Sequence, residues 1–247
     1  MIPAATVVIF RNCSEGGAPE LLMVQRAKEM RFAGGAAVFP GGRVDPEDHE
    51  LARVIAPDTD EDLAAARIAG IRETLEETGL AIGLDRQVTA AEAIAARALL
   101  LEKGALAPVL EQFGWRLAIE KLIPFARWCP NWEKAFDTRF FLADLGTGAV
   151  DVTVDATENT RLFWCSATEA LRRADNDEIY VIFPTRRNLE RLAQFASFTE
   201  ARAQTETIPV QTISPRQQER DGEVWLTIPE GLGYPVTAQP MSSVKRG

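Results

Sequence analysis

Arg72-Glu73-Thr74-Leu75-Glu76-Glu77-Thr78-Gly79-Leu80 decides how this chain is read. Upstream of it, Ala64, Ile68, Ile71 and Leu75 recur at i, i+4, i+7 and i+11, one apolar stripe of a helix. Asp60 is a natural N-cap, Glu61 and Asp62 suit the first turn, and Gly79 suits the end. A helix is therefore predicted over residues 60–78. Each helical residue turns by about 100°. With Ala64 at zero, the stripe stays within about 40°, while Glu73, Glu76 and Glu77 fall at roughly 180°, 120° and 220°. The three carboxylates are neighbours on the face opposite the stripe.

An acidic helix face is ordinarily a solvated one. Like charges on one turn, however, repel by a few tenths of a kcal/mol per pair, and a divalent cation would relieve them. Carboxylate oxygens are also what Mg²⁺ prefers, with waters and substrate phosphates completing its shell. Arg72 stands one turn before Glu76 and can hold a carboxylate by paired hydrogen bonds.

The rest of the chain is compatible with such chemistry. Its 247 residues are enough for one large domain, or one domain with an extension, without disulfide or metal staples. Apolar residues make up 46% and charged residues 26%, as in ordinary globular proteins. The net charge of −9 speaks against sequence-independent nucleic-acid binding and against docking on an anionic membrane. An anionic substrate would need local offset, for which metal ions are the usual means. Cys13, Cys129 and Cys165 are too scattered for a zinc site and too few to pair completely, which implies a reduced, cytoplasmic protein. The single histidine, His49, lies among acids and makes a triad or a histidine metal site improbable. The N-terminus lacks a basic signal-peptide region, and no apolar run approaches the ~18 residues of a membrane span.

Strands are expected over 5–10, 20–25, 138–145 and 161–165, with a short strand and glycine turn at 34–42. Residues 43–60 read as irregular, and 89–125 as a helical block broken near 104–108. Ser166 and Glu169 have capping-box spacing for a short helix, and 185–204 reads as one long helix. A late hairpin is expected from 209–214 and 223–228, and a tail from about residue 231. The organisation expected is an α/β sandwich over 1–204 with a helical insertion near 86–125, then an extension over 205–247. The extension is open to three roles: packing on the sheet, covering the site, or mediating a homodimer.

Residues 72–80 resemble the helical half of the Nudix box, R-E-U-x-E-E-x-G-U with U apolar. Thr74 stands where an apolar residue is usual. The first half of the box is glycine, five residues and an acid, which reaches Glu47 from Gly41 or Asp48 from Gly42. The family then has seven residues before the arginine, whereas 23 separate Asp48 from Arg72, an insertion of about sixteen. The upstream pattern Arg26-Ala27-x-x-x-Arg31-x-x-x-Gly35-x-x-x-Phe39-Pro40-Gly41-Gly42 is similar to that of the coenzyme A diphosphatase subgroup. One peroxisomal type of that subgroup also has a long box insertion, and Phe136 to Phe141 looks like it too. The resemblance covers roughly residues 3–195.

The resemblance implies a Nudix-type α/β/α sandwich with a mixed sheet. It implies Mg²⁺ or Mn²⁺ held by Glu73, Glu76 and Glu77, a contribution from the Gly41-Gly42 turn, and Arg72 among the catalytic residues. The proton acceptor would be a glutamate, with Glu158 the loop candidate and an ordinary exposed acid as its alternative. Arg26 and Arg31 would bind substrate phosphates, or else be surface arginines beside a strand. Phe32, Phe39 and Trp128 are either adenine stackers or core. The substrate implied is coenzyme A or an acyl-coenzyme A, with ADP-ribose or a nucleotide sugar next. A non-catalytic nucleotide-binding domain is the remaining reading, and the full acidic set argues against it.

Overall fold

The computed structural model describes residues 1–12, 17–28, 33–133, 135–146 and 159–244. In chain order the elements are β1 (Ile2–Arg11), β2 (Glu20–Arg26), β3 (Ala37–Val38), β4 (Gly41–Arg43), α1 (Pro46–Ile55), α2 (Glu61–Thr78), α3 (Ala90–Lys103) and α4 (Leu106–Phe113). There follow β5 (Ile123–Trp128), β6 (Phe136–Asp144), β7 (Asn159–Ser166), α5 (Ala167–Asp175), α6 (Phe183–Leu192), α7 (Phe198–Thr207), β8 (Thr212–Ile213), β9 (Arg216–Arg220), β10 (Glu223–Thr227) and β11 (Ala238–Pro240).

The main sheet is mixed, in the order β3-β2-β1-β6-β5-β8. β1 runs parallel to β6 and antiparallel to β2, β7 pairs antiparallel with β2, and β8 adds in parallel to β5. Side chains on a strand alternate between faces. Along β1, Val8 and Phe10 enter one core while Ala5, Val7 and Ile9 enter the other. Along β6, Phe140 and Leu142 join the first, and Phe141 and Ala143 the second. Both faces are thus covered, by α2 to α4 on one side and by α5 to α7 on the other, which makes the α/β/α sandwich.

β1 is shared between two partners. Its end pairs with β2 at Phe10↔Leu21, while its start pairs with β4 at Ala5↔Gly42. β2 peels away to meet β3 and β7, and β4 enters where it leaves. This splay seats the glycine turn against the sheet and beside α2.

Four local expectations are corrected. Residues 46–55 form α1 rather than irregular chain, with Pro46 at the first position and Glu47 and Asp48 in the first turn. The block to residue 125 gives way to β5, in which Pro124 brings no N–H and the ladder shifts between Pro124 and Ala126. The long helix from 185 is two, because the Ser197 side chain accepts from Glu200 N–H at 3.2 Å and starts α7 afresh. The hairpin is β9 with β10, and Thr212–Ile213 joins the main sheet instead.

The stretch read as a tail carries Leu232 and Tyr234 into the core. Tyr234 Oη donates to Asn188 Oδ1 at 2.8 Å and accepts from Trp128 Nε1 at 3.2 Å. Tyr234→Phe strands both groups in a dry setting. It is expected to lower stability by about 2 kcal/mol, read as an earlier urea midpoint at unchanged m-value.

Candidate active site

α2 is buried on two faces. Its apolar stripe packs on Val7 and Ile9 of β1, and Gly70 lets the helix close on Val7. On the opposite face, Glu73 and Glu77 meet β4 and the Arg72–Asp48 pair rather than solvent. Glu77 is 4% exposed and the Glu73 side chain 16%, with Glu76 more open. Asp60 Oδ1 caps the helix by accepting from Leu63 N–H at 2.8 Å, and Gly79 ends it in the left-handed region. Thr74, the departure from the family pattern, is fully buried with its hydroxyl unpartnered, so it occupies an apolar position. Arg97 of α3 donates from Nε to the Glu76 carbonyl at 2.8 Å, bracing the end of α2.

Arg72 is the hub. Its guanidinium is buried and donates to both Asp48 oxygens, Nε to Oδ1 and Nη2 to Oδ2, each at 3.1 Å. Nη2 also reaches the Arg43 carbonyl at 2.9 Å, and Nη1 reaches Glu73 Oε1 at 2.9 Å. Glu76 lies 3.5 Å from Nη1. Burial works against the arginine charge, yet the bonds to Asp48 and the charges of Glu73, Asp48 and Asp45 hold its proton more tightly than in a free arginine.

Asp48 is the residue that sequence reasoning left without a role. It is 2% exposed, and besides Arg72 it accepts from Asp45 N–H at 2.9 Å. Its signal was the spacing of five residues from Gly42; Glu47, the alternative from Gly41, is exposed. His49 sits on α1 with its ring 3.2 Å from Glu61.

The glycine turn is built around these acids. Gly41 N–H donates to Glu77 Oε2 at 3.0 Å. Gly42 lies so close to Glu73 that a Cβ there would stand 2.6 Å from Oε2. Burial, with Glu77 and Glu76 pressing in the same direction against Arg72, pushes the Glu73 carboxyl up to about 8. Among the described residues no three His, Cys, Asp or Glu side chains converge tightly enough to grip an ion, since Glu73 turns to Arg72 and Glu77 to Gly41. The donor set nonetheless suits a hard divalent cation. It is all oxygen, crowded enough that burial and like charge push the Glu73 carboxyl up, and it borders a glycine cradle.

Arg26 ends β2, with its Nε buried and unpartnered. Phe39 and Trp128 are core residues, each 2% exposed, rather than stacking platforms. Arg31, Phe32, Cys13 and Glu158 lie outside the described residues. Among the described residues Cys129 and Cys165 are free thiols, and no helix is long and apolar enough to cross a membrane.

No protein-family model matches the chain. Among solved structures it is similar to a Nudix hydrolase from Alicyclobacillus acidocaldarius, at 29% identity and a TM-score of 0.69, over 82% of this chain and 96% of that one. It also resembles a MutT protein from Methanosarcina mazei Go1 at 18% identity and a TM-score of 0.42, over 78% and 93%. The NUDIX domain of Shewanella oneidensis NrtR, complexed with ADP ribose, matches at 12% and 0.44, over 77% and 84%. The Alicyclobacillus likeness and the Arg72-to-Leu80 helix together define the class. The chain is a Nudix hydrolase.

Proposed function

We propose that the chain is a divalent-cation-dependent diphosphatase that cleaves coenzyme A or an acyl-coenzyme A to 3′,5′-ADP and (acyl-)4′-phosphopantetheine. One observation supports the hydrolytic reading above others: Glu77 and Glu73 of α2 meet the Gly41-Gly42 turn, with Arg72 clamping Glu73 and lying 3.5 Å from Glu76. The spacing from Arg26 to Gly42 runs directly into that turn and favours coenzyme A over ADP-ribose or a nucleotide sugar.

Glu73, Glu76 and Glu77 would hold Mg²⁺ or Mn²⁺. The ion, when bound, supplies charge for the diphosphate oxygens and lowers the pKa of a water. Arg72, anchored by Asp48, keeps Glu73 in place at the turn. Gly41 N–H holds Glu77. Arg26 and Arg31 take the substrate phosphates by forked contacts, and Glu158 accepts the proton of the attacking water. The protein works in the cytoplasm, with residues 1–204 as the catalytic unit and 205–247 as an extension.

The test is the purified protein with Mg²⁺ or Mn²⁺ against coenzyme A, acetyl-coenzyme A, ADP-ribose, NADH and a nucleotide sugar, with products identified by mass. Selective release of 3′,5′-ADP, abolished by EDTA, is expected. Preference for another member would replace the coenzyme A reading with that substrate. No cleavage at all would favour a nucleotide-binding domain. Glu77→Gln is expected to fold normally and to fall below a tenth of wild-type kcat/KM, a loss above ~1.4 kcal/mol in transition-state stabilisation. Retention of more than that would overturn its assignment as a ligand.

A further inference from the structure

Two side chains with buried, unpartnered polar atoms are paired across one end of the sheet. Asn159, at the start of β7, is 2% exposed, and neither its Nδ2 nor its Oδ1 has a hydrogen-bond partner. Arg26 stands opposite it, where the β2–β7 ladder shifts register between Gln25 and Arg26. The Arg26 Nε is likewise buried and unpartnered. Buried amides are almost always satisfied, so a side chain with both ends idle marks a place where something else binds. Bulges of this kind re-aim side chains and are common beside active sites.

The register fixes where this pair lies. Phe10 pairs with Leu21, and continuing that antiparallel count would set Arg26 level with Ala5. Ala5 instead pairs with Gly42, because β4 enters as β2 peels off. Arg26 and Asn159 therefore lie at the end of β2 that departs from β1, the end at which β4 and Gly42 take its place beside β1.

A primary amide offers a donor and an acceptor side by side. A group that complements both is the N6/N7 edge of adenine, which presents a donor beside an acceptor. Hypoxanthine presents two acceptors on that edge and leaves Oδ1 idle. A nucleoside diphosphate carries its phosphates close to its base, which suits a guanidinium beside the amide.

We infer that Asn159 reads the N6/N7 edge of an adenine base, with Arg26 on the adjoining phosphate. This rests on the nucleotide-substrate reading above. It makes Asn159 the residue that selects the base.

The test is calorimetric binding of ADP, IDP and 7-deaza-ADP to the wild-type chain and to Asn159→Ala. The wild type is expected to bind ADP about ten- to a hundredfold more tightly than IDP, and 7-deaza-ADP at least about tenfold more weakly than ADP. In Asn159→Ala the three affinities should draw within about threefold of one another. Equal binding of ADP and IDP by the wild type would overturn the inference and leave the nucleotide reading standing. So would unchanged discrimination in a folded Asn159→Ala. If that variant fails to fold, the wild-type comparison with 7-deaza-ADP decides alone. Binding of none of the three would overturn both readings together.

Discussion

Gly42→Ala is expected to yield a folded protein that has lost about a hundredfold in kcat/KM. The new methyl group would fall within 2.6 Å of the Glu73 carboxylate, the far end of a flexible side chain. The backbone at Gly42 does not demand glycine, so the fold can accept the change by swinging that carboxylate aside. A displacement of about 1 Å in a reacting constellation is enough for a hundredfold loss. The neighbouring glycine behaves in the opposite way. Gly41 has φ +150°, and a Cβ there would meet the Ala5 carbonyl oxygen and stand 2.7 Å from Thr6 Cα, both fixed backbone of β1. Gly41→Ala is expected to cost more than about 4 kcal/mol, the range reserved for named backbone conflicts. Thermal unfolding and steady-state kinetics on the two variants separate the cases. A Gly42→Ala enzyme with wild-type kcat/KM would show that the position of Glu73 does not matter to turnover.

What could be read from sequence was mostly what is local. Asp60, the Ala64-to-Leu75 stripe and Gly79 specify α2 within its own residues, and the helix spans Glu61–Thr78. The three carboxylates were correctly placed opposite the stripe. That this face is covered was not legible, because its cover is α1 and β4, brought there by the fold. The Asp48–Arg72 pair spans 24 residues, and only the glycine spacing hinted at it. Asp45-Pro46-Glu47-Asp48 is a helix start in its own right, yet it lies in an acidic stretch whose composition reads as irregular chain. Asn159 could not be found in advance. A lone asparagine at a strand start acquires meaning only when the ladder puts it opposite Arg26 and leaves both ends unpartnered. Tyr234 carried no signal either, for its partners Trp128 and Asn188 are distant in sequence.

Glu73 gives the largest expected pH effect on stability. Burial first, then Glu77 and Glu76, push its carboxyl up to about 8, from a free value of 4.5. Between those pH values the folded chain keeps a proton that the unfolded chain has released. Stability from this group is fully present below pH 4.5 and is lost as pH rises through about 8. The slope approaches about 1.4 kcal/mol per pH unit across that window, since one proton is exchanged. Glu73→Gln resembles the protonated side chain and removes the titration. Urea unfolding in EDTA at intervals from pH 5 to 8.5 should therefore show wild type losing stability relative to Glu73→Gln as pH rises. Added Mg²⁺ acts in the opposite sense. A cation among Glu73, Glu76 and Glu77 favours the ionised form, so its stabilisation of wild type should grow with pH and be small in Glu73→Gln. Parallel wild-type and variant profiles in EDTA would remove Glu73 as the source of the pH dependence. A Mg²⁺ effect equal at pH 5 and pH 8.5 would place the ion away from these three carboxylates.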